Sequence, residues 1–243
     1  MDTVPVFDEA KHTYTDPTDG FKYTSVTRWL EKFKPTFNEQ TMAKKIAARE
    51  GVTVDIVLEE WRKKREDSKT FGTTIHKELE YFYKNGKLKD TKYEPIITEF
   101  NELQLSLNSK ICFYEKLVFN KKLGIAGMSD IIRHNEDKKT FNVFDFKTNK
   151  KLRVCSAYNE YMLSPLTNYP CSEYFSYALQ LSMYAYLYKS MTGLEPLRLK
   201  IFWYKRVEPE NYNNLKGKWE IFNIPYMEEE IIRCLKYEKT VVG

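Results

Sequence analysis

The segment VFDFKTNK (residues 143–150) sets Asp145 and Lys147 two positions apart inside an apolar run. Side chains alternate faces along an extended strand, so the carboxylate and the ammonium share one face while Phe144 and Phe146 share the other. An ion pair on a solvated strand edge would explain this, and such pairs contribute only about 0–1 kcal/mol. Two further acids argue for more. Glu115 lies in register with Ile111, Phe113, Leu117 and Phe119, and Asp130 with Ala126, Met128 and Ile132. A carboxylate in an apolar row is costly unless it has a partner or a metal. Carboxylates gathered from neighbouring strands raise one another's pKa unless a cation neutralises them, and oxygen ligands suit Mg²⁺ or Mn²⁺. A lysine is redundant for holding a metal but useful where water attacks a phosphate, because it orients the water and offsets developing charge. The chemistry expected of Asp130, Asp145 and Lys147, with Glu115 beside them, is hydrolysis.

Two helical segments offer further groups. In FGTTIHKELE, His76 and Glu80 are four apart and lie on one helix face, and Gly72 one turn earlier permits close helix–strand approach. His76 gains a ligand's role only if its helix abuts the carboxylates; otherwise it is an ordinary core or surface histidine. Gln180 and Tyr184 have the same spacing in a later helix. Tyr184 reads as core, whereas an amide between Tyr177, Leu181 and Tyr184 requires hydrogen-bond partners.

The elements that must position these groups follow from periodicity. TSVTRWLEKF carries a cap at Thr24 or Ser25, and Val26, Trp29, Leu30 and Phe33 then follow at helical spacing. Further helices are predicted over 38–49, 53–66, 71–84 and 94–108, so the first hundred residues read as a helical lobe. From Ile111 the period becomes two: ICFYEKLVF, GIAGMSDIIR and FNVFDFKT, joined by the short runs NKKLG and HNEDKK, predict an antiparallel meander. An irregular stretch with Pro165 and Pro170 precedes a long helix ending near Gly193. LRLKIFWYKR and KWEIFNIPY then read as strands, before a terminal helix from about Met227.

The chain has 243 residues, 30% charged and 15% aromatic, which suits a folded domain and argues against disorder. Without repeats or a long linker, one domain over 1–243 is expected: a mainly helical 1–105 containing the His76 helix, an α/β core over 106–205, and a strand and helix over 206–243. The formal charge of +5 permits a polyanionic partner without demanding one. Nowhere do 18 apolar residues run uninterrupted, and MDTVPVFDEAKHTY lacks a basic and then apolar leader pattern, so a cytoplasmic chain with no membrane partner is expected. Cys112, Cys155, Cys171 and Cys234 form no C-x-x-C pair, which suggests neither a zinc site nor a disulfide framework.

In order along the chain stand G-T-T-I-H (72–76), Glu115, G-M-S-D (127–130), D-F-K-T (145–148) and Q-L-S-M-Y (180–184). This series resembles the PD-(D/E)XK nuclease superfamily, in particular its RecB-like branch, which includes phage-encoded exonucleases and the mitochondrial genome maintenance exonuclease. The resemblance implies a restriction-endonuclease-like α/β core (helix, three-stranded meander, helix, strand) and Mg²⁺- or Mn²⁺-dependent cleavage of DNA. It implies metal ligation by Asp130, Asp145 and His76 and by the carbonyl of Phe146, a supporting or water-mediated role for Glu115, and water positioning by Lys147. Gln180 and Tyr184 then steady the lysine and contact DNA. Lys150 and Lys151 are candidate backbone contacts.

Several relatives hold an iron–sulfur cluster on four cysteines placed around the core. The four cysteines here are placed otherwise, so no cluster is expected. No G-x-x-x-x-G-K-[ST] motif is present, hence no fused helicase motor. The branch favours linear ends, single- or double-stranded, a phage or bacterial setting in DNA recombination, repair or replication, and a protein partner such as a recombinase or helicase. The sequence leaves oligomeric state open. The rival readings are a DNA-binding or assembly module of the same fold that no longer cuts, and a hydrolase of small phosphates.

Overall fold

The computed structural model describes residues 3–105, 111–135, 139–156, 158–209 and 211–242. They form a mixed α/β fold with eight strands in one sheet and six α-helices. The chain opens with three short strands, β1 (Val6–Asp8), β2 (Thr13–Thr15) and β3 (Lys22–Ser25). Helices α1 (Val26–Glu31), α2 (Glu39–Glu50), α3 (Val54–Asn85) and α4 (Glu94–Leu105) follow. The predicted meander is β4 (Ile111–Asn120), β5 (Ile125–His134) and β6 (Thr140–Lys147), antiparallel throughout. Helix α5 (Glu173–Thr192), strands β7 (Glu195–Arg206) and β8 (Gly217–Ile224) and helix α6 (Glu228–Val242) complete it.

Local chemistry fixes the helix ends. Ser25, Thr53 and Ser172 accept hydrogen bonds from the backbone N–H three residues on, satisfying amides that each first turn leaves free. Helices α3 and α5 stop at Gly86 and Gly193, whose φ values of 67° and 71° suit glycine.

The alternation read in β6 decides which layer each residue meets. Val143 packs with Leu199, Ile201 and the buried side of α5, in a core that also takes in α1 and α6. Phe144 and Phe146 point the other way, into a second core with Phe71, Ile75 and Leu79 of α3 and Phe100 of α4. Helices thus cover both faces of the central strands, and fully buried rings such as Phe202 each contribute about 3–5 kcal/mol against truncation.

Two expectations need correction. Residues 1–105 are not simply a helical lobe, because β1–β3 form an antiparallel series and β3 joins β5 in parallel. Strands of three or four residues are too short for a period of two to register. Residues 53–66 and 71–84 are one 32-residue helix, not two. The polar run Asp67-Ser68-Lys69-Thr70 interrupts the apolar stripe without breaking the helix, since that segment packs on no core. The end of the helix predicted over 94–108 and part of the HNEDKK connection lie outside the described residues.

Candidate metal centre

The site forms where the sheet forks. Strand β4 runs along one side of β5 for its whole length. On the other side β3 pairs only with Ile125 and Ala126, and β6 only with residues 131–134. Residues 127–130 therefore have no strand partner on that side among the described residues. Strand β6 pairs with β7 along its whole length, with Asp145 opposite Ile201 and Lys147 opposite Trp203, while its pairing with β5 stops at Phe144. The Phe146 amide, freed from the β5 ladder, donates to Asp130 Oδ2 at 2.7 Å.

Three elements meet at the fork. Helix α3 brings His76, whose Nδ1 lies 3.5 Å from Asp130 Oδ1 and whose ring meets the Phe146 ring edge-on at 5.5 Å. The close approach depends on Gly72, because a Cβ there would stand 3.1 Å from Thr148 Oγ1. Strand β4 brings Glu115, directly across from Asp130. The ladder keeps its register at Tyr114–Ile131 and Lys116–Ser129, but Glu115 itself sits at φ 47°. That left-handed backbone is strained for a non-glycine residue, and such strain gathers at functional sites. Helix α5 brings Tyr184 against Gly127, where a Cβ would lie 2.6 Å from Tyr184 Cε1. Gln180 Nε2 donates to the Tyr184 hydroxyl at 2.9 Å, which supplies the partner that amide required.

One ligand atom each from His76, Glu115 and Asp130 fall within 4.8 Å of one another. Asp145 stands beside this triad in the same groove, its Oδ2 2.5 Å from Lys147 Nζ, and the ammonium lies over the Tyr177 ring at 4.6 Å. The groove holds about 1060 Å³ and is walled by α3, the β1–β2 hairpin and α5.

The electrostatics are those of an incomplete cluster. Burial and the Asp130 charge push the Glu115 carboxyl up to about 8. Burial lifts Asp145 to about 6 against the pull of Lys147. Burial works against charging His76, but Asp130 outweighs it and raises the imidazole to about 9. Asp130 is itself held below the usual carboxylate range, despite its burial, by His76, Lys147 and the Phe146 amide. Lys147 keeps its charge through Asp145 although burial opposes it. Carboxyls that burial raises toward neutrality would be offset by a divalent cation, and two carboxylates with an imidazole form a donor set that such ions accept.

The predicted residues therefore divide. His76, Glu115, Asp130, Asp145, Lys147, Gln180 and Tyr184 all line one groove. Phe146 enters through its amide on Asp130, a contact the sequence does not announce. Glu80 lines the groove while engaging Lys84. Lys150 and Lys151 are exposed and line neither this groove nor the cavity beside it. Sequence reasoning missed Lys69, which lines both spaces, and Tyr177 beneath Lys147. Lys69 is seven residues before His76 and Tyr177 three before Gln180, so helical spacing held the signal for both. It also missed Phe7, His12 and Tyr14, the hairpin wall, for which short strands give none.

The four cysteines are free thiols. No described helix is long and apolar enough to cross a membrane. No protein-family model matches the chain, and no curated protein sequence matches it.

Proposed function

We propose that this chain is a metal-dependent deoxyribonuclease with the restriction-endonuclease-like core of the PD-(D/E)XK superfamily, acting on DNA ends as the RecB-like branch does. The observation that carries this reading is the meeting of His76, Glu115 and Asp130 within 4.8 Å beside the Asp145–Lys147 pair, at the point where β5 and β6 part. A structural ion cluster would have matched its charges; this one leaves two carboxyls raised.

His76, Glu115 and Asp130 would hold Mg²⁺ or Mn²⁺, with Asp145 adjoining. When bound, the metal supplies a water of lowered pKa and neutralises phosphate charge. The chain's own groups do the rest. Asp145 holds the Lys147 ammonium charged and aimed, so that it can orient a water and meet charge developing on a phosphate oxygen. The Tyr177 face supports that ammonium from the other side. Asp130, fixed by the Phe146 amide, orients the His76 ring. Gln180 and Tyr184 lock each other and fill the gap over Gly127, keeping bulk water from the rear of the fork.

The test is incubation of 5′-labelled linear single- and double-stranded DNA, beside a covalently closed circle, in Mg²⁺, Mn²⁺ or EDTA, with Asp145→Ala as control. Loss of linear DNA alone, dependent on metal and absent in the variant, is expected. Cutting of the circle would make the activity endonucleolytic. No cleavage of any substrate would defeat the reading and leave a binding module.

A further inference from the structure

We infer that a track for single-stranded nucleic acid leads from the metal centre along α3 to an aromatic platform formed by Phe37, Trp61 and Tyr158. This deepens the nuclease reading and rests on it. Three observations converge.

The first is a second cavity, of about 420 Å³, that shares Lys69, His76 and Lys147 with the groove. Arg65, Ser68, Lys69, Lys147, Thr148 and Asn149 line it, and no acid is among the lining residues, although Arg65 pairs with Glu39 and Lys147 with Asp145. Such a set of cations, hydroxyls and an amide offers hydrogen-bond donors to phosphate oxygens, and a phosphate can share the two paired cations with their carboxylates. Lys69 and Lys147 also line the groove, so the two spaces adjoin at the centre itself.

The second is the platform. Phe37 is 50% exposed and Tyr158 61% exposed, with ring centroids 6.4 Å apart at 29°. Phe37 also meets Trp61 at 6.0 Å. Trp61 is seated on the small core of Ala43, Ala47 and Val57 between α2 and α3, which gives the rings a firm base. Aromatic faces held open to water are suited to stacking, and every base has a face to stack.

The third is alignment. Trp61, Arg65, Lys69, Gly72 and His76 recur at steps of four, four, three and four, so they share one face of a single helix. The segment carrying Tyr158 leaves the same cavity at Thr148 and Asn149. Rings, donors and metal centre thus lie along one line. Duplex bases stack on each other and present only edges, whereas unpaired bases present faces, so the occupant is a single strand. A protein partner would account for the rings but not for a donor-lined cavity leading from them to the centre.

Binding of oligo-dT and of a duplex of equal length to the full chain in EDTA tests this without turnover. Trp29, Trp203 and Trp219 are buried, so quenching of tryptophan fluorescence by oligo-dT reports on Trp61. The Phe37→Ala/Tyr158→Ala double variant should bind oligo-dT about tenfold or more weakly, with little change for duplex. Lys69→Gln should lower the salt slope of oligo-dT binding by about one. Thermal melting verifies that each variant folds. Unchanged oligo-dT affinity in the double variant, or equal losses on both DNAs, would overturn the track and leave the rings to a protein partner. If the wild-type chain still cleaves DNA in that case, only the track falls; if it neither binds nor cleaves DNA, the nuclease reading falls with it.

Discussion

Two clusters in this molecule each gather acids around a lysine, and they behave in opposite ways. At the turn after β2, Lys121 Nζ reaches Asp16 at 2.6 Å and Asp19 at 2.8 Å, while the Thr18 amide and hydroxyl donate to Asp16. Lys121 first, then Thr18, pulls the Asp16 carboxyl down to about 2. At the fork of β5 and β6, Lys147 pairs with Asp145, while Glu115, half-buried beside the Asp130 charge, rises to about 8. The first cluster is complete and holds the strands together. The second keeps one half-buried carboxyl protonated beside two that are paired. The difference separates a structural ion pair from the cluster proposed to hold a cation, which the spacing of Asp145 and Lys147 alone did not do.

The comparison breaks most sharply on activity. Lys147→Ala should lower cleavage by about 10²–10⁴-fold with the fold intact, measured as the initial rate on linear DNA in Mn²⁺. Lys121→Ala should lower the melting temperature by several degrees and leave cleavage unchanged. If both lysines affect only stability, the two clusters are the same kind of object.

The packing behind the fork comes next. Gly127→Ala forces a methyl into the Tyr184 ring, so it should cost about 1–3 kcal/mol in denaturant melts and reduce cleavage by displacing the Gln180–Tyr184 pair. Metal binding sharpens the contrast further. Mn²⁺ at a hundredfold excess over its Kd should stabilise the chain by about 2.7 kcal/mol, and Asp130→Ala should abolish that gain while Asp19→Ala should not. The smallest effect concerns pH. A carboxyl whose pKa rises on folding opposes folding as it ionises, so without metal Glu115 erodes stability between about pH 4.5 and 8. Glu115→Gln should therefore match the wild type below pH 5 and exceed it at pH 9 by on the order of 1 kcal/mol, about 2–4 °C. Added Mn²⁺ should reverse that order.

The meander and α5 were legible because β4, β5 and β6 are eight to ten residues long and are joined by short polar turn runs, and because α5 is capped by Ser172 and ended by Gly193. The acids stood out as polar residues on apolar lines. What stayed hidden depends on distant pairing. Strands β1–β3 have too few residues to show a period, and only their contact with β5 makes them part of the sheet. The fork is set by where β3 and β6 stop pairing, which no local pattern encodes. Nor does any pattern give the left-handed turn of Glu115 or the Phe146 amide on Asp130.

The continuity of α3 gives the molecule a ruler. Fifteen residues separate Trp61 from His76, and in one unbroken helix that fixes about 22 Å between the rings and the candidate metal centre. A strand reaching between them spans about six nucleotides at the stacked spacing of about 3.4 Å, and fewer when stretched. Fragments shorter than that cannot touch both ends of the helix at once. If the chain digests single strands as proposed, digestion should slow as the remaining strand falls below this length, and a one-turn insertion in α3 between them should lengthen the limit products.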